Sequence, residues 1–128
     1  MANTFGSVYL VGAGPGDPGL MTLRGAECLR SADAVLYDYL ASPELLMHVR
    51  AGVERICLGR HGHGRLMSQT EINETMIRHA VNGRTVVRLK GGDPAIFARL
   101  AEELAALNAA GFASMIWVWT TGTLTRLP

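Results

Sequence analysis

Ser7-Val-Tyr-Leu-Val-Gly-Ala-Gly-Pro-Gly-Asp-Pro-Gly19 decides the fold class of this chain. Its first part, Ser7 to Val11, is a short apolar run ending in glycine, the pattern of a buried strand. Its second part, GAGPGDPG at 12–19, is a glycine-rich loop carrying a carboxylate. Outward from this unit the same alternation recurs. Ala34-Val-Leu-Tyr37, Arg55-Ile-Cys-Leu58, Thr85-Val-Val-Arg-Leu89 and Met115-Ile-Trp-Val-Trp119 read as four further strands. Helical patterns lie between them. Ser42-Pro43-Glu44 offers an N-cap, a proline at the first helical position and an acid in the first turn. Ser68-Gln-Thr-Glu71 fits a capping box, with Ile72, Met76, Ile77, Ala80 and Val81 on one face and Gly83 as the stop. A further helix begins near Pro94, with Ile96, Phe97, Leu100, Leu104 and Leu107 on its apolar face. Arg99, Glu102 and Glu103 are expected off that face, and Gly111 ends the helix.

Strand–helix alternation of this kind predicts an α/β domain with a mostly parallel five-stranded sheet and helices on both faces. Ligands of such sheets bind beyond the carboxyl ends of the strands. That places the 12–19 loop, Asp38, residues 59–65 and Lys90-Gly-Gly-Asp-Pro94 on one rim, where chemistry is expected.

Bulk composition narrows the classes. The 128 residues are 48% hydrophobic, enough to bury a core. Twelve basic residues against eleven acidic leave a formal charge of +1, which argues against a nucleic-acid footprint. No apolar run reaches membrane-spanning length and the first residues lack the features of a signal peptide, so a cytoplasmic location is expected. Cys28 and Cys57 read as buried free thiols.

The first glycine loop invites a dinucleotide reading, but Asp17 stands where the fingerprint needs glycine or alanine. Pro15 and Pro18 each remove an N–H that a pyrophosphate would use. No Lys-Ser/Thr pair follows, which excludes a phosphate loop. The remaining chemistry is close backbone approach with carbonyls and a carboxylate, suited to a neutral or cationic ligand. Either glycine loop alone is weak evidence, since each is also compatible with a tight turn. Two on one rim are stronger.

YLVGAGPGDPGLMTLRGAE, DAVLYDYLASPEL, SQTEIN and VVRLKGGDPAIFAR, in this order, resemble the S-adenosylmethionine-dependent uroporphyrinogen-III C-methyltransferases of the tetrapyrrole methylase superfamily. The resemblance runs from about Val8 to Gly111. It implies the N-terminal domain of a two-domain homodimeric enzyme of sirohaem and cobalamin synthesis, making precorrin-2 with S-adenosylhomocysteine as co-product. It also implies that Pro15, Gly91, Gly92, Asp93 and Ile96 contact the methyl donor and that Asp38 accepts a proton. Arg60 falls where relatives carry a lysine proposed as proton donor. Because a guanidinium hardly releases a proton, Arg60 is expected to bind substrate carboxylates, with His61, His63 and Arg65 beside it. The plainer readings are that Asp38 caps a backbone group and that 60–65 is a solvated loop. His61 and His63 lack a third ligand, so no metal is expected.

Residues 112–128 depart from the family pattern, which has a proline-glycine-threonine segment there. They read as a divergent tail after a domain spanning 1–111, with the second methylase domain absent. The chain alone is therefore expected to be inactive. The competing readings are a non-catalytic ligand-binding fragment and a Rossmann-type nucleotide-binding enzyme.

Overall fold

The structure is a computed structural model and describes residues 6–14, 16–38, 41–59, 67–91, 97–112, 116–118 and 124–126. In chain order the elements are β1 (Ser7–Gly12), α1 (Leu23–Ser31), β2 (Ala34–Tyr37), β3 (Glu54–Cys57), α2 (Gln69–Val81), β4 (Thr85–Lys90), α3 (Phe97–Ala109), β5 (Ile116–Val118) and β6 (Leu124–Arg126). Short 3-10 turns occupy Pro18–Leu20 and Pro43–His48. The strands form one sheet in the order β3-β2-β4-β1-β5-β6. β1 to β5 are mutually parallel, and β6 returns antiparallel beside β5. The expected parallel α/β sheet is present, with the hairpin partner β6 as an addition.

Alternation along the strands divides the core into two layers. Val11, Val35, Val87 and Leu89 face Cys28 and Leu29 of α1 and Leu45 of the second 3-10 turn. Val8, Leu10, Leu36 and Val86 face Ile72, Met76 and Ala80 of α2 and Leu107 of α3. Because every one of these strands is covered on both sides, their sequences read as near-continuous apolar runs.

The helix starts are local. Thr22 Oγ1 accepts from Gly25 N at 2.9 Å and caps α1. Ser68 Oγ accepts from Glu71 N at 3.1 Å and caps α2, as the capping box predicts. Gly83 and Gly111, at φ +81° and +93°, lie just past the ends of α2 and α3. The segment after Ser42 differs from expectation. It is a six-residue 3-10 turn rather than an α-helix, and Ser42 makes no side-chain cap bond. Val49, at φ −83° and ψ 134°, is already extended and ends the turn after His48.

Three buried positions also differ. Val81 is exposed, while His79 and Thr75 take the inward places on α2. Cys28 is buried and burial pushes its thiol pKa up, but Cys57 is exposed on the edge strand β3. Glu103, expected off the apolar face of α3, is completely buried. It follows Leu100 by three residues and precedes Leu107 by four, so helical geometry puts it on the stripe facing the sheet.

The amino-end side of the sheet is tied by polar groups. Asp33 Oδ2 accepts from Thr85 N at 2.8 Å, and Arg50 reaches Asp33 and the carbonyl of Ala32. His79 Nε2 lies 3.3 Å from Glu54 Oε2, and its Nδ1 lies 3.0 Å from Arg84 Nη1. Since the guanidinium can only donate, Nδ1 is the acceptor and the neutral ring donates from Nε2. Burial holds the His79 pKa below its ordinary value, with Glu54 acting in opposition.

Two outcomes follow for stability. Gly6 donates to the Ala80 carbonyl at 2.7 Å, and a Cβ there would collide with the Arg84 backbone. Gly6→Ala should therefore lower unfolding stability by about 1–3 kcal/mol in urea titration. Because the unfolded chain protonates His79 more readily than the folded one, stability should decline as pH falls below the ordinary histidine value of about 6.5. His79→Gln should flatten melting temperature against pH between about 7.5 and 5.5 relative to the native chain; an unchanged slope would exclude His79 as the source.

Candidate functional site

Two connections leave the centre of the sheet on opposite faces. From β1 the chain runs through α1 on one face to β2, and from adjacent β4 it runs through α3 on the other face to β5. Neighbouring parallel strands whose connections leave to opposite faces open a crevice at their carboxyl ends. The two glycine loops flank that crevice, because one follows β1 and the other follows β4.

Backbone and side-chain bonds knit the rim. Ala13 N donates to the Lys90 carbonyl at 2.7 Å, joining the starts of the two loops. Gly14 at φ +82° and Gly16 at φ +127° then carry the first loop through conformations that side chains resist. Asp38 follows β2 immediately. Both its carboxylate oxygens receive Gly91 N, at 3.3 and 3.2 Å, and Oδ1 also receives Ala41 N at 3.1 Å. The side chain is 16% exposed, and its Oδ2 lies 3.8 Å from Arg88 Nη1. Asp38 thus combines the capping role open to it in sequence with direct contact to the second loop.

Behind the rim, on the α2 and α3 side of the sheet, lies a charged cluster. Glu103 Oε1 sits 3.1 Å from Lys90 Nζ, 3.4 Å from Arg88 Nε and 3.3 Å from Gln69 Nε2. Arg88 Nη1 donates to the Leu89 carbonyl at 3.1 Å. Lys90, the single lysine among the 128 residues, is largely buried, and desolvation lowers its pKa despite the Glu103 carboxylate. Two cations and two carboxylates within this layer balance each other. Removing one member of such a buried set commonly costs about 3–5 kcal/mol because a partner charge is stranded.

Of the residues predicted for the site, Asp38 and Gly91 are brought together by a direct hydrogen bond. Pro15, Arg60, His61, His63, Arg65, Gly92, Asp93 and Ile96 lie outside the described residues. The ends of the 59–66 excursion are tied, since Met67 N donates to the Leu58 carbonyl at 3.0 Å at the end of β3. Sequence reasoning passed over Arg88, Gln69 and Glu103. The available signal was Glu103 on the Leu100–Leu107 stripe, paired with two basic residues on alternate positions of β4.

The geometry also bears on the dinucleotide reading. Residues 13–22 separate β1 from α1. The α1 amides of Gly25 and Ala26 are taken by Thr22, and Gly19 N is taken by Asp17 Oδ1 at 2.8 Å. A helix N-terminus presented directly after β1, as a pyrophosphate requires, is missing from this arrangement.

Comparison with known proteins agrees with this architecture. Residues 7–117 match the family profile of the Tetrapyrrole (Corrin/Porphyrin) Methylases. The chain belongs to this family. It is 57% identical over 106 residues to the siroheme synthase of Sodalis glossinidius, covering 83% of this chain and 22% of that protein. Against the uroporphyrinogen-III C-methyltransferase of Bacillus subtilis it is 50% identical over 106 residues, again 83% of this chain and 22% of the relative. The chain therefore spans less than a quarter of these curated relatives. Among solved structures, the uroporphyrin-III-C-methyltransferase of Thermus thermophilus superposes with a TM-score of 0.71 at 38% identity, over 92% of this chain and 48% of that one. A cobalt precorrin-4 methyltransferase superposes with a TM-score of 0.73 at 34% identity, over 88% and 44%. One further Thermus structure, a complex with S-adenosylhomocysteine, superposes with a TM-score of 0.66 at 42% identity, over 83% and 44%. The profile match reaches β5, whose pairing with β1 continues the methylase sheet.

Proposed function

We propose that this tetrapyrrole methylase domain forms the methyl-donor side of an enzyme that transfers methyl groups from S-adenosylmethionine to pyrrole carbons of uroporphyrinogen III. The reading rests on one observation above all. At the switch point of the sheet, Asp38 holds Gly91 and Lys90 holds Ala13, so both glycine loops are anchored on one crevice. The residues fit a ligand that is cationic at its reactive atom, since the rim carries the Asp38 carboxylate and, at α1, the amides of Gly25 and Ala26 are already taken by Thr22. When bound, S-adenosylmethionine supplies a methyl group on a positively charged sulfur, open to displacement by an electron-rich pyrrole carbon.

Pro15, Gly91, Gly92, Asp93 and Ile96 are assigned to donor binding, with the backbone of the two loops doing most of the orienting. Asp38 is assigned to proton acceptance from the alkylated ring, as a positioned carboxylate can provide. Arg60, His61, His63 and Arg65 are assigned to the acetate and propionate groups of the substrate. No metal is required, because the leaving group is already cationic. The parent assembly is a cytoplasmic homodimer of two-domain chains, and this chain alone binds the donor weakly without transferring methyl groups.

Calorimetry on the purified chain should show binding of S-adenosylhomocysteine and none of NAD; the reverse preference would replace the donor reading by a dinucleotide one. In the same preparation, transfer of labelled methyl to uroporphyrinogen III should stay at background, and turnover would show the domain to be self-sufficient. In an intact enzyme carrying this domain, Asp38→Asn should lower turnover by about 10²–10⁴ with a smaller change in donor affinity. Equal losses in both would reduce Asp38 to holding the Gly91 loop.

A further inference from the structure

Glu103 is the fully buried centre of the charged layer and lies on α3, just behind the rim. Among the described residues its Oε2 accepts no hydrogen bond, so its charge is compensated mainly by Lys90 and Arg88. Each of these cations is attached to the rim by its own backbone or side chain. The Lys90 carbonyl holds Ala13 N, and the next residue donates its amide to Asp38. Arg88 Nη1 stands 3.8 Å from Asp38 Oδ2, an ion pair longer than a hydrogen bond.

This spacing describes a competition. With Glu103 in place, the cations have a carboxylate of their own, and Asp38 directs its oxygens to the amides of Gly91 and Ala41. With that carboxylate replaced by a neutral side chain, two like charges would share a buried layer, and Asp38 is the other described carboxylate paired with Arg88. Attraction in such a low-dielectric layer is strong enough to draw Asp38 off the loop amides. We propose that Glu103 is a positioning residue of the ligand rim, which draws Arg88 and Lys90 onto its own carboxylate so that Asp38 keeps its oxygens on the amides that order the Gly91 loop. The inference deepens the donor-site reading and rests on it for its functional meaning, although the ordering of the loop is measurable without any ligand.

Glu103→Gln in the 128-residue chain provides the test, read by amide hydrogen exchange and by calorimetry with S-adenosylhomocysteine. The Gly91 and Ala41 amides should exchange at least about tenfold faster, while Val86 and Val87 inside β4 keep native protection. Affinity for S-adenosylhomocysteine should fall in parallel. Unchanged exchange at Gly91 would overturn the proposal. So would uniform acceleration that includes Val86 and Val87, which would mean that Glu103 only supports the fold. If the native chain fails to bind S-adenosylhomocysteine but Gly91 and Ala41 still loosen selectively in the variant, the donor reading falls and the positioning role stands. Should Glu103→Gln not fold, the double variant Lys90→Met with Glu103→Gln leaves one buried cation for one buried anion and is read in the same way. Failure of both to fold would overturn the proposal, because Glu103 would then hold the core rather than the rim.

Discussion

The parallel pairing of β1 with β4 is the constraint on which this structure depends. Six residues of each strand run in register, from Ser7 opposite Thr85 to Gly12 opposite Lys90. Because the strands point the same way, both following loops emerge at one edge. Because their connections leave to opposite faces of the sheet, the loops flank a crevice at that edge. The Ala13 to Lys90 bond continues the ladder one step past the strands and locks the two loop origins together. Every other part of the rim is placed with reference to that pair.

Burial on both faces of the sheet makes the pairing possible and sets its chemical consequences. Side chains at 87 and 89 of β4 enter the layer beneath α1, and those at 86 and 88 enter the layer beneath α2 and α3. The second layer ends in charge rather than in hydrocarbon, with Arg88, Lys90 and Glu103 nearest the rim. An apolar filling there would be more favourable for stability alone, given the desolvation of each ion. What the charges add is direction. They connect α2 through Gln69, α3 through Glu103 and the Asp38 turn after β2 to the strand that carries the second glycine loop.

The family relationship joins these physical features to a chemistry. The tetrapyrrole methylase profile covers nearly all of the described sheet, whereas the curated relatives are more than four times as long as the matched part. The domain accordingly shows how one side of a ligand crevice is ordered. Its loops are held by backbone amides and carboxylates, a mode of binding that depends on main-chain geometry and therefore tolerates glycine far better than larger residues.

Much was determined by sequence alone, wherever the signal was local. Strand runs at 7–11, 34–37 and 85–89, the glycine-rich loop at 12–19, the Ser68 cap and the Gly83 stop all depend on neighbours within a few residues. So did the family resemblance, since its motifs are contiguous. Tertiary structure decided what depends on residues far apart. Asp38 and Gly91 are 53 positions apart, and only the parallel placement of β2 beside β4 brings carboxylate to amide. The same holds for Glu103, which local polarity assigned to solvent. Its burial follows from cations that β4 carries into the same layer, and helical periodicity alone does not name a partner for a charge. The exposure of Cys57 was illegible for a related reason, because an edge strand is recognised only once its neighbours in the sheet are known.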